Sequence, residues 1–470
     1  MDPGTGKTAT SITALDKIAK RIRKNCNRPA IFLIAVPKSL CANWKAEIAK
    51  FSTAKNKVTV LKGGFPAERD VCALQATVSK PSDGYEALYL IGGYDACIGT
   101  PMLELFEYDA ILIDEAHNIA NGSTDRAKYF LRLRDKAARR FILTGTPIRS
   151  TPFDLYTQLE FLCQGASGFT SLAAFKEFYG KYDYSRGGAP SLEGFKNIPM
   201  LQETIAKYCY VLKKHEALPF LPEKSYDIVT VELTAEQKKS YAAIAYELQA
   251  EFDLLDKTDT MSVNNHLTKM LRLAQITSGF ANLDSGLEYR FDPSPKEEAL
   301  VDMLKSKSPD DKTIVWCSFK PNIRRLAARL KLEGIENVTF FGDTNTSDRA
   351  AAEREFNTNP NCKVLIGHPA CGGVGLNLLG FDPANPDDYT TNANHIIFYS
   401  RNWVSTDYWQ AQDRAHRYGT RVPVRITNMI VDNSIDVQIY NRVELKTDIA
   451  VTTQDVSSIL QAVVSGITML

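Results

Sequence analysis

Short apolar runs rich in β-branched residues alternate with segments whose apolar positions recur every three or four residues, first over residues 31–143 and again over 313–431. A strand covered on both faces reads as an unbroken apolar run, and the helix that crosses over it reads as an amphipathic one. The alternation therefore predicts parallel sheets built from βαβ units. Strands are expected at 31–36, 58–61, 87–91, 110–113 and 141–143 in the first block, and at 313–318, 338–341, 364–367, 395–399 and 424–430 in the second. Between the blocks, helical periodicity dominates at 153–162, 235–255 and 264–276, broken by Gly/Pro-containing stretches at 185–199 and 282–295 that read as exposed loops. The pattern divides the chain into an α/β lobe over 1–150, helical insertions and a linker over 151–295, and a second α/β lobe over 296–470.

Composition narrows this picture modestly. A chain of 470 residues is too long for one ordinary core, and 44% hydrophobic with 24% charged residues is the make-up of a globular protein. Lysine and arginine number 56 against 55 acids, so any surface for a polyanion must be local. The nine cysteines, at 26, 41, 72, 97, 163, 209, 317, 362 and 371, never approach a C-x-x-C spacing, which points to thiols in a reducing compartment. No apolar stretch is long enough to span a bilayer and no signal-like segment opens the sequence, so an intracellular protein is expected.

Phosphate chemistry enters at the start. Gly4-Thr5-Gly6-Lys7-Thr8 forms a glycine turn running into a helix-compatible segment. Such a turn aims backbone amides and a helix N-terminus at phosphate, with Lys7 reaching the β- and γ-phosphates and Thr8 ligating magnesium. The first glycine of the full G-x-x-x-x-G-K-[ST] pattern would fall at Met1, and no strand precedes the turn, so an N-terminal piece of the first lobe is expected to be missing. Farther on, Ile111-Leu-Ile-Asp-Glu-Ala-His117 is an apolar strand ending in adjacent carboxylates. Alone it could end in a solvated acidic turn. With a Gly-Lys-Thr in the same block, Asp114 reads as a magnesium carboxylate and Glu115 as the group that polarises the attacking water. His117 and the turn Thr144-Gly-Thr-Pro147, at the end of the next strand, are expected to line the nucleotide and sense its phosphate.

Gly-Lys-Thr, Asp-Glu-Ala-His and Thr-Gly-Thr-Pro, in this order, resemble motifs I, II and III of superfamily II helicases. The segment Val36-Pro-Lys-Ser-Leu-Cys-Ala-Asn-Trp-Lys-Ala-Glu-Ile48 is similar to motif Ia of Swi/Snf-type motors, which implies nucleic-acid contacts at Pro37, Lys38, Ser39 and Trp44, with Tyr94 in the neighbouring Ib element. The stretches beginning at Leu212, Val231 and Leu271 resemble that family's inter-lobe segment, although Lys213 stands where arginine is usual. Ile314-Val-Trp-Cys-Ser-Phe319 is similar to motif IV, implying nucleic-acid contacts at Ser318 and Phe319. Ala370-Cys-Gly-Gly-Val-Gly-Leu-Asn-Leu378 is similar to motif V, implying nucleic-acid contacts at Cys371 and Gly372 and nucleotide contacts at Gly373 and Gly375.

The stretch Tyr408-Trp-Gln-Ala-Gln-Asp-Arg-Ala-His-Arg-Tyr-Gly419 resembles motif VI. On a continuous helix Gln410, Asp413, Arg414 and Arg417 share one face, either as a solvated charged face or as two arginines offered to ATP held on the other lobe. The resemblance implies two RecA-like parallel-sheet lobes of the P-loop NTPase, helicase-core type. It further implies ATP and Mg2+ as cofactors, duplex DNA as partner, and ATP-driven translocation on double-stranded DNA. A strand-separating DNA or RNA helicase, or a chain that binds nucleic acid without hydrolysing ATP, are the alternatives.

Overall fold

All ten strands expected from the apolar runs form in the computed structural model, with ends shifted by three residues at most. The structure describes residues 4–64, 67–72, 84–148, 151–183, 191–254, 262–283, 285–342, 346–372, 376–382, 385 and 391–444. It divides into two units, Met1–Pro219 and Phe220–Leu470, each with its own sheet.

In the first unit, β1 (Ala30–Val36), β2 (Asn56–Leu61), β3 (Ala87–Gly93), β4 (Ala110–Asp114) and β5 (Arg140–Leu143) form a parallel sheet in the order β2-β3-β1-β4-β5. β1, β3 and β4 are buried along their whole length, which accounts for their continuous apolar runs. The sheet is flanked by α1 (Lys7–Cys26), α2 (Cys41–Phe51), α3 (Tyr94–Ile98) and α4 (Asp125–Leu133). A buried carboxylate ties α1 in place: Asp16 accepts hydrogen bonds from the Ser52 hydroxyl (2.8 Å), the Thr53 amide (2.6 Å) and the Tyr89 hydroxyl (3.2 Å). Beyond β5, α5 (Leu155–Leu162), α6 (Leu172–Tyr179) and α7 (Ile198–Tyr208) join the hairpin of β6 (Gly180–Asp183) and β7 (Ser191–Phe195) around a small core of Phe153, Leu159, Phe175, Tyr179 and Leu201.

The second unit opens with β8 (Lys224–Val231), and its sheet is completed by β11 (Asp311–Trp316), β12 (Asn337–Phe340), β13 (Val364–Gly367), β14 (Asn392–Phe398) and β15 (Val424–Val431), all parallel in the order β12-β13-β11-β14-β15-β8. β8 lies in the stretch that the sequence pattern assigned to linker. It is an edge strand with Tyr226 48% and Ile228 46% exposed, so it lacks the unbroken apolar run of its neighbours. Two long helices follow, α8 (Ala235–Leu254) and α9 (Ser262–Thr277). α8 starts on a reciprocal cap, the Gln237 amide donating to the Thr234 hydroxyl at 3.2 Å and the Thr234 amide to Gln237 Oε1 at 3.1 Å.

A short hairpin, β9 (Phe280–Asn282) and β10 (Glu288–Arg290), leads to α10 (Pro295–Lys305), after which α11 (Lys320–Leu332), α12 (Thr346–Thr358), α13 (Pro369–Gly372), α14 (Ser405–Gln412) and α15 (Ile435–Glu444) complete the unit. Two buried lysines brace it. Lys296 Nζ pairs with Asp436 Oδ2 at 2.7 Å, while Lys312 Nζ donates to the carbonyls of Phe356 and, at 2.8 Å, Asn359, capping the end of α12. Among the described residues, no helix is long and apolar enough to cross a membrane.

Candidate functional site

In the first unit the glycine turn behaves as its composition predicts. Gly4 has φ 80° and Gly6 φ 85°, the left-handed region that glycine enters without strain, and Gly6 stands directly before α1. A Cβ at Gly6 would meet no atom within 4 Å, so the demand for glycine is conformational rather than steric. The first turn of α1 holds Lys7 and Thr8 and no acid, so no carboxylate within that turn offsets the positive end of the helix dipole.

The carboxyl end of β4 supplies the opposing chemistry. Asp114 is 8% exposed; its Oδ2 accepts the Trp44 indole N–H at 2.8 Å and its Oδ1 the Glu115 amide at 2.9 Å. Burial pushes the Asp114 pKa up, while the Trp44 hydrogen bond and the Lys7 ammonium pull against it. Each carboxylate oxygen thus spends one lone pair on the protein and keeps another. Among the described residues no cluster of three or more His, Cys, Asp or Glu could form a metal cage. One carboxylate and one threonine hydroxyl, Asp114 and Thr8, would suit magnesium, which keeps waters and substrate phosphate oxygens as its remaining ligands.

Glu115 takes φ 52°, unusual for a residue with a side chain and a form of strain that concentrates at functional sites. The Tyr94 hydroxyl secures this bend by donating to the Asp114 carbonyl at 2.5 Å. Burial and the charges of Asp114 and Glu115 hold the Tyr94 pKa well above its usual value, so it remains a donor. His117 Nδ1 lies 3.3 Å from Glu115 Oε2 and 3.4 Å from Thr144 Oγ1, and the Thr146 amide donates to Thr144 Oγ1 at 3.0 Å. The ends of β4 and β5 are thereby linked through one imidazole. Gln158, on α5, donates to the Pro147 carbonyl at 2.6 Å and fixes the far side of that turn.

Two expectations change here. Trp44 is 1% exposed and Tyr94 4%, and both bond to the Asp114–Glu115 segment, so they support the carboxylates instead of offering a nucleic-acid surface. Their aromatic bulk fills the core of the first lobe, which leaves only Lys38, exposed, and Pro37 and Ser39, half-buried, at the surface just after β1.

In the second unit, α14 ends at Gln412, so Gln410 is helical while Asp413, Arg414 and Arg417 lie in the turns that follow; the continuous helical face does not form. The last residue of the helix and those after it are claimed by other partners. Lys224 Nζ bonds Gln412 Oε1 and Asp413 Oδ1, both at 3.2 Å, and the His416 ring donates to the Pro222 carbonyl at 2.7 Å. The arginines nevertheless converge: Nη1 of Arg417 and of Arg414 approach the Leu376 carbonyl at 3.0 and 3.5 Å.

Ser318 and Phe319 sit just beyond β11, where the Ser318 amide donates to Ser400 Oγ (2.9 Å), its hydroxyl donates to the Ser400 carbonyl (3.1 Å), and the Phe319 ring packs on Phe280. Cys371 and Gly372 close α13, and Gly373 and Gly375 fall outside the described residues. Gln158, Lys224 and Glu353, whose carboxylate accepts the Asn377 amide at 2.8 Å, escaped the sequence reading. A glutamine inside the apolar run Leu155–Leu162 was a usable signal for the first; the other two lie among ordinary surface-like charges.

An SNF2-related domain matches residues 1–279 and a helicase conserved C-terminal domain matches 295–386. An "uncharacterized ATP-dependent helicase" of Mycoplasma pneumoniae is 26% identical over 443 residues, covering 93% of this chain and 38% of that protein. The human SWI/SNF-related matrix-associated actin-dependent regulator of chromatin subfamily A member 1 is 24% identical over 462 residues, covering 94% and 40% respectively. The chain thus spans about two fifths of the length of these relatives. Among solved structures, a Sulfolobus solfataricus SWI2/SNF2 ATPase core in complex with dsDNA is similar at 24% identity and a TM-score of 0.41, covering 98% of this chain and 91% of that one.

Proposed function

The chain belongs to the SNF2-related family, and from that premise we propose that it hydrolyses ATP and uses the energy to move along duplex DNA without separating the strands. The observation that carries this reading is the organisation around Asp114: a buried carboxylate fixed by Trp44 and the Glu115 amide, under the influence of Lys7, beside a strained Glu115 joined through His117 to Thr144. The first turn of α1 binds the phosphates through its amides and Lys7. Magnesium would be held by Asp114 and Thr8, where it supplies charge neutralisation on the phosphate oxygens. Glu115 orients the attacking water, and His117 with Thr144 relays the state of the phosphate to the end of β5. Arg414 and Arg417 supply fixed positive charge for the transition state, the use to which a delocalised guanidinium is best suited.

DNA is gripped through its phosphates by Pro37, Lys38 and Ser39 on the first unit and by Ser318, Phe319, Cys371 and Gly372 on the second. Such a grip is insensitive to sequence and weakens with salt. ATP turnover is to be titrated with duplex DNA, single-stranded DNA and RNA, alongside triplex displacement and forked-duplex unwinding. Stimulation selective for duplex, with displacement of the third strand and no unwinding, is expected. Unwinding of forks would replace translocation with strand separation, and turnover indifferent to every nucleic acid would refute the motor.

A further inference from the structure

The peptide group between Leu376 and Asn377 is held at both ends by charge. Its carbonyl faces Nη1 of Arg417 (3.0 Å) and, at a longer 3.5 Å, Nη1 of Arg414, while its N–H donates to Glu353 Oε1 at 2.8 Å. Neighbouring bonds fix the same segment: the Leu378 amide donates to the Arg414 carbonyl at 3.1 Å, and Asn357 Nδ2 donates to the Asn377 carbonyl at 2.6 Å. Glu353 and Asn357 stand one turn apart on α12, the helix that the buried Lys312 caps. A carboxylate at the N–H end and two cations at the C=O end both align with the peptide dipole, so each hydrogen bond strengthens the other.

We propose that Glu353 is a positioning residue which, acting through the 376–377 peptide, holds Arg414 and Arg417 together over one carbonyl so that they serve turnover as a unit. The inference rests on the reading that these arginines serve ATP hydrolysis. The carboxylate is half-buried; desolvation raises its pKa on balance, while the Asn377 amide and then the charges of Arg417 and Arg414 pull it down. A side chain needed only to pack α12 would have no use for that charge.

A double-mutant cycle between Glu353→Gln and Arg417→Ala tests this, read both in DNA-stimulated ATP turnover and in thermal unfolding of the same full chains. Glutamine keeps an oxygen for the Asn377 amide and removes the charge. Glu353→Gln is expected to lower kcat roughly tenfold with KM for ATP within about twofold, and to cost almost nothing further once Arg417 is alanine. Glu353→Asp, which retains the charge, should keep most of the turnover and guards against a folding defect in the first variant. Equal losses from Glu353→Gln with and without Arg417, or a gain in turnover, would overturn the proposal. If the wild-type chain hydrolysed no ATP with any nucleic acid, the motor reading would fall. The unfolding cycle would still decide the peptide link, non-additive shifts supporting it and additive shifts rejecting it.

Discussion

Replacing Trp44 by phenylalanine separates two roles that the same position could play. The indole N–H donates to Asp114 Oδ2 at 2.8 Å, and neither residue is more than 8% exposed. Phenylalanine removes the donor and leaves a buried carboxylate oxygen short of one bond, a loss of about 1.5–3 kcal/mol for a hydrogen bond to a charged group. That bond pulls the Asp114 pKa down against burial and also fixes the direction in which the carboxylate points, so its removal favours the protonated form and loosens the orientation that a divalent cation requires. Loss of an outer-shell partner of a metal-binding carboxylate costs about 10- to 100-fold in metal affinity, so the magnesium concentration for half-maximal ATP turnover should rise by that order.

The assay is ATP turnover with saturating duplex DNA across a magnesium titration, with DNA affinity measured in parallel by anisotropy. Affinity for DNA should stay within about twofold, since the indole has no surface to offer, and a thermal melt accounts for lost packing of about 1–2 kcal/mol from the smaller ring. An unchanged magnesium requirement combined with weakened DNA binding would refute the reasoning and return Trp44 to the nucleic-acid surface.

Three further outcomes are expected. Lys7→Ala and Glu115→Gln should each abolish DNA-stimulated turnover, whereas Arg417→Ala should lose turnover while a fluorescent ATP analogue still binds; loss of binding in step with turnover would remove its transition-state role. The Asp114 pKa is raised in the folded chain, so its ionised form costs stability above the ordinary carboxylate range. Asparagine removes that charge but offers one acceptor where Asp114 uses two, so Asp114→Asn should end turnover and flatten the fall in Tm as pH rises from the ordinary carboxylate range, and an unchanged pH dependence would contradict this. His395, between β11 and β15 and bonded to Thr427 Oγ1 at 2.7 Å, has its pKa lowered to about 3, chiefly by burial and then by Lys307 and Arg425. A depressed histidine pKa gives stability that is complete above the unfolded value near 6.5 and lost as pH falls toward 3, at up to about 1.4 kcal/mol per pH unit. Urea unfolding of wild type and His395→Asn between pH 7 and 4 should show the shallower slope in the variant, and parallel slopes would remove His395 as the cause.

Sheets were legible because their strands are buried on both faces: the seven residues of β1 and the first five residues of β3 and β4 carry their burial in their letters. β8 was not, since an edge strand presents alternate residues to solvent and Tyr226 and Ile228 resemble linker. At the site, glycines, carboxylates and hydroxyls stood at strand ends where a nucleotide crevice would form, so Lys7, Asp114, Glu115 and Thr144 could be named from spacing and order. Spacing could not say which aromatic near them was inside, and Trp44 and Tyr94 were assigned by position to a surface they do not reach. The single helical face expected for Arg414 and Arg417 does not form, for a related reason. Lys224 and Pro222, distant in sequence, engage Gln412, Asp413 and His416 and accompany the helix's end at Gln412, a tertiary influence that no local period encodes.

The parallel pairing of β8 with β15 has a temporal consequence for a chain made from its N-terminus. Thr427 and Asp227, bonded across that pair, are 200 residues apart. At about 5–20 residues per second, a nascent β8 would wait roughly 10–40 s for the strand that covers its inner edge. During that interval Tyr226, Ile228 and an unsatisfied row of amides and carbonyls are open to intermolecular pairing, so slow translation or early termination before residue 424 should favour aggregates seeded at this strand.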